Sequence, residues 1–98
     1  MTLERTAEGL AQIEKEIQAE KAAALGRTAA MLEGMLADLH RRRDEMGRLA
    51  GEERARAEEA YATLRDQARL YRWYLVVQRE ALGLFHHDDV DRHYPLPE

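Results

Sequence analysis

The residues best suited by type and spacing to do chemistry crowd into one short stretch near the C-terminus. His86, His87, Asp88, Asp89, Asp91 and His93 fall within eight residues. On a helical turn, His87 and Asp91, or Asp89 and His93, stand four apart and share a face, a spacing at which imidazole and carboxylate can hold a divalent metal. The candidate ligands are therefore His86, His87, Asp91 and His93. A metal site also needs three or four rigidly convergent ligands, and no H-E-x-x-H pattern supports one here. The competing reading carries more weight: Asp88 caps a short helical turn, with Asp91 three residues on, and the rest is polar surface loop. No cofactor is expected.

Other chemistries have less to work with. The chain has no cysteine, which removes disulfides, thiolate catalysis and zinc–cysteine sites. It has no serine, and Thr2, Thr6, Thr28 and Thr63 have no histidine nearby in sequence. No glycine-rich phosphate loop is present. Arg41-Arg42-Arg43 suggests nucleic acid, but consecutive helical residues point about 100° apart and make no stripe. Asp38 precedes Arg42 by four, Asp44 precedes Arg48 by four, and Glu45 follows Arg41 by four, the spacing of helix ion pairs. His40 and Asp44 read as another exposed pair. A formal net charge of −4 also argues against phosphate neutralisation. Neither enzyme activity nor nucleic-acid binding is expected.

The elements that must position these residues are helical. Ninety-eight residues make a single domain, with 35% charged and 6% aromatic residues. From Leu3 to Leu84 there is no proline. Leu3, Ala7, Leu10, Ile13, Ile17, Ala24, Thr28, Met31, Met35, Leu39, Met46 and Leu49 recur at helical spacing, predicting a first helix over about 3–46. Ala57, Tyr61, Leu64, Ala68, Tyr71, Leu75, Gln78 and Leu82 alternate steps of four and three, predicting a second over about 52–82. Between them, Gly47 and Gly51 bracket a turn over 47–51. Cations before it and Glu52 and Glu53 after it suit a helix end and a helix start. Gly83 is the expected left-handed cap of the second helix. The tail over 83–98 holds a short helical turn and then runs extended through Pro95 and Pro97.

Folding at the turn sets residue i level with about 98 − i. The small residues Ala22, Ala23, Ala24, Gly26, Ala29 and Ala30 then oppose the bulky run from Leu70 to Val77, and the tail emerges beside the N-terminus, over the open end. The fold class is all-α: a long antiparallel helical hairpin with a short C-terminal helical turn and an extended tail. Seven of the eight residues from Leu70 to Val77 are apolar or aromatic and cover every side of the helix. A helix apolar all round must be covered all round, and one partner helix covers one face. Leu70, Tyr71, Trp73, Tyr74, Leu75 and Val77 are accordingly expected at an interface, with two hairpins forming a four-helix bundle. The expected role is a structural or adaptor protein working as a homodimer. The alternative is an assembly- or secretion-type chaperone whose aromatic face captures a partner's amphipathic helix. No leader and no membrane span is recognisable, the bulky apolar run of Tyr74 to Val77 being far too short for one. A soluble cytoplasmic protein without a membrane partner is expected.

Overall fold

A computed structural model describes residues 3–98, with side chains from Thr6 onward, so the place of Leu3 on the apolar stripe lies outside the described residues. Three helices follow in order: α1 (Leu3–Met46), α2 (Gly51–Ala81) and α3 (Asp88–His93), with no strand among the described residues. α1 and α2 form an antiparallel hairpin measuring 74 × 24 × 14 Å. The break falls where the glycines and charges predict it. Arg43 sits in the last turn of α1, and Glu52 and Glu53 in the first turn of α2, each favoured by the helix dipole. Gly51 holds φ +62°, a conformation that costs other residues steric strain. At the far end of α2, Gly83 adopts φ +84°. Its N–H donates to Glu80 O (2.9 Å), and that of Leu84 donates to Arg79 O (2.9 Å), which completes a Schellman cap.

The two stripes fared differently. On α2 every member is buried or half-buried, led by Tyr61, Ala68 and Leu75. On α1 the core line is Thr28, Leu32, Leu36 and Leu39, with Leu25 beside it. Leu25, Leu32 and Leu36 were not on the expected stripe, and Leu10, Ile13, Ile17 and Met31, which were, stand exposed. The reason is geometric. Leu10, Ile13 and Ile17 lie beyond the end of α2, which stops level with Lys21, and Met31, which does stand alongside α2, is turned about 100° from the core residue Leu32. Leu32 and Leu39 are wholly buried, each burial stabilising the fold by roughly 1.5–3 kcal/mol.

The register agrees with the expectation, but its consequence does not. Ala22, Leu25, Gly26 and Ala29 stand level with Leu75 and Arg79. Of the bulky run, however, Trp73, Tyr74 and Val77 face away from α1. Bulky side chains therefore do not fill the space over the small residues. A cleft of about 290 Å³ remains there, closed on one side by Tyr94.

The tail corrects the sequence reading more sharply. It does not cover the open end; after the Gly83 cap it reverses and runs along the hairpin toward the turn. Val90 is 1% exposed in the core, with Tyr94 and Leu96 packed beside it. Tyr61 Oη donates to Glu98 O (3.2 Å) and Tyr94 Oη to Glu33 Oε1 (3.3 Å). His87, not Asp88, occupies the N-cap of α3 and makes no side-chain cap bond, while Asp88, Asp89 and Asp91 lie in the first turn. Because the tail turns back, it does not shelter residues 6–20. Lys21 Nζ reaches Ala81 O (3.4 Å), marking where α2 ends, and residues 6–20 beyond it are all exposed.

Candidate interaction surface

The run from Leu70 to Val77 divides by helical phase. Leu75 is 3% exposed in the core, and Tyr71 packs against that core. These two of the six expected interface residues belong to the hairpin's own interior. Leu70, Trp73, Tyr74 and Val77 do not. They are spaced i, i+3, i+4 and i+7, which puts them on one line, and that line lies on the back of α2, about 180° from the core line. Trp73 is 60% exposed, and the other three are between 39% and 46%. Edge contacts hold the aromatics in place: Tyr71 meets Tyr74 at 5.6 Å and 87°, and Trp73 meets Tyr74 at 5.6 Å and 55°. An apolar patch of this size is on the order of the largest that a monomer shows, and such patches are often functional.

Two further apolar groups stand uncovered. Leu10, Ile13 and Ile17 are 56%, 52% and 48% exposed on the projecting start of α1. Leu84 and Phe85 sit just past the end of α2, and Phe85 is 67% exposed.

The histidine–aspartate cluster is not gathered into a site. Asp91 pairs with Arg72, and His93 Nδ1 lies 2.8 Å from Asp89 O. His87 Nε2 lies 3.6 Å from Glu80 Oε1, and the backbone O of His86 accepts from Arg79 Nη2 (3.0 Å). Among the described residues, no group of three or more His, Asp or Glu is placed to hold a metal ion. Asp89 sits below the usual carboxylate range because the Arg92 guanidinium hydrogen-bonds to it. Burial pushes the Tyr94 phenol up, and Glu33 adds to the effect. Of the arginine run, Arg41 and Arg42 both pair with Asp38, the latter at 3.1 Å.

What holds this segment is a set of residues the sequence reading missed. Arg72 and Arg79 hold it from the side of α2 that faces the tail, and Arg65 continues their seven-residue spacing. Arg72 Nε donates to Tyr94 O (3.2 Å), and its Nη2 pairs with Asp91. The signal was present as a seven-residue repeat of arginine, but nothing local says that its partners lie 19 and 22 residues downstream. The Nε atoms of Arg65 and Arg79 are buried without a partner.

The chain matches no protein-family profile, no curated protein and no solved structure. Its own surfaces carry the functional argument. The cleft is apolar apart from Arg79 and Tyr94, and no carboxylate or histidine lines it. No helix of the described residues is long and apolar enough to cross a membrane. The developed surface is the line on the back of α2.

Proposed function

We propose that this protein is a non-enzymatic structural or adaptor protein of the cytoplasm that works through helix–helix contact as a homodimer. One observation carries the reading: Leu70, Trp73, Tyr74 and Val77 form an exposed apolar line on the face of α2 opposite the core. An aromatic anchor flanked by aliphatics is the composition of an interface centre. Exposed ion pairs such as Arg69–Asp66 at 3.2 Å border it, as the polar rim of an interface would. The apolar cleft offers no acid–base pair, so catalysis has no comparable support.

Sedimentation of the purified chain over a hundredfold concentration range, with Trp73 emission followed in parallel, tests this. A dimer with a blue-shifted indole is the expected result. A monomer with water-exposed tryptophan at every concentration sinks the homodimer and favours capture of a partner's amphipathic helix on the same line.

A further inference from the structure

We infer that the partner covering the back of α2 is the projecting start of α1 from a second copy of this chain, exchanged reciprocally. This rests on the homodimer reading and specifies which surfaces meet.

The first argument is reach. α1 has 44 residues and α2 has 31, and the Lys21–Ala81 contact places the surplus at the open end. Residues 6–20 therefore project about 22 Å past α2, at 1.5 Å per residue. From Ala81 back to Leu70 is about 17 Å on the same measure. An arm from a second hairpin, arriving end to end, spans the whole line with a few ångströms left for Leu84 and Phe85 at the junction.

Pattern supports the exchange too. Leu10, Ile13 and Ile17 span eight residues, and so do Leu70, Trp73 and Val77, with the same steps of three and four. Two parallel helices with that shared period pack turn for turn. The arm's apolar side also lies within about 70° of the core line of α1. It thus faces the space directly beyond the end of α2, where the second copy's α2 would stand. Each α2 is then held between its own α1 and the partner's arm, and one two-fold axis generates both contacts and closes the assembly.

Area separates this arrangement from its rival, in which two α2 lines pack on each other. The four exposed residues of the line offer roughly 400 Å² per chain, or about 800 Å² for the pair, before any polar rim is counted. The arm's three aliphatics with Leu84 and Phe85 raise the surface available for covering to roughly 1,800 Å², more than twice as much.

The test uses Ile13→Glu in the full chain. Residue 13 lies beyond the hairpin, so the hairpin core remains intact by circular dichroism and any helix lost is confined to the released arm. The dimer dissociation constant should rise at least about a hundredfold, because the change strikes both symmetric contacts, and Trp73 emission should shift to the red. Since the chain has no cysteine, single cysteines give a second readout with a short bismaleimide. Glu14→Cys mixed with Arg69→Cys should crosslink into a heterodimer, whereas Arg69→Cys alone should not. An Ile13→Glu protein that dimerises like the wild type, together with self-crosslinking by Arg69→Cys, overturns the arm exchange and leaves the homodimer standing on α2 alone. A wild-type chain that stays monomeric overturns both.

Discussion

Trp73 and Leu75 are two residues apart on one helix and sit in opposite environments. Leu75 is 3% exposed and Trp73 60%. Leu75→Ala removes buried methyl groups from the hairpin core, a loss of about 2–4 kcal/mol. The lower half of that range applies, because Leu75 borders the open cleft and the new space joins it. That loss should be the same at every protein concentration. Trp73→Ala should behave otherwise. A tryptophan side chain offers up to about 250 Å². With 60% of it exposed, roughly 150 Å² remains to be covered by a partner, worth at most about 3–4 kcal/mol per chain at ~25 cal/mol per Å². The variant should therefore lose stability at high concentration, where wild type is paired, and lose little at low concentration, where it is not. Urea unfolding at two concentrations a hundredfold apart, followed by circular dichroism, separates the two effects. Refutation would be a Trp73→Ala deficit that matches Leu75→Ala in size and is as indifferent to concentration, since the indole would then be supporting the hairpin itself.

Three further outcomes follow from the described contacts. Gly83→Ala must place a Cβ at φ +84°, which should cost about 1 kcal/mol in unfolding free energy and speed amide exchange at Leu84. Arg72→Gln removes the pairing with Asp91 and the donor to Tyr94 O; exchange over 88–94 should quicken while α2 keeps its protection, and uniform loss in both would show that the tail does not open independently. Burial and Glu33 raise the Tyr94 pKa in the folded chain, so its contribution is present below its unfolded pKa of about 10 and is lost as pH climbs toward the raised value. Tyr94→Phe should therefore flatten the fall in melting temperature above pH 10, and an unchanged slope would remove Tyr94 as the cause.

Legibility in the sequence tracked how local each determinant is. The turn at 47–51 and the cap at Gly83 rest on glycine conformation and neighbouring charge, so both could be read directly. The α2 stripe was unambiguous because Ala57 to Leu82 repeats steps of four and three without a rival. On α1 a rival existed. Leu10, Ile13, Ile17 and Met31 are as regular as Leu25, Leu32, Leu36 and Leu39, and periodicity alone cannot say where along α1 the partner helix ends or which line meets it. The tail was misplaced because its course depends on Arg72 meeting Asp91 and the backbone O of Tyr94, contacts no local rule anticipates. At the candidate surface, the excess of apolar residues from Leu70 to Val77 was plain. Their division was not, because it is fixed by the phase of Leu75 against α1.

The correction to the tail alters what the exposed residues mean. Had the tail capped the open end, Leu10, Ile13 and Ile17 would have been sheltered by their own chain, and only α2 would need a partner. Val90, Tyr94 and Leu96 instead serve the middle of the hairpin, where α1 and α2 leave a groove. That choice gives the hairpin a third packed element at the cost of leaving about a third of α1 bare. A 98-residue chain whose buried core, among the described residues, is seven hydrophobic residues has little stability to spare. A second copy that covers the arm, the α2 line and Phe85 would add an apolar layer of similar size. Folding and association should then be coupled, and the hairpin should be more helical when paired than when dilute.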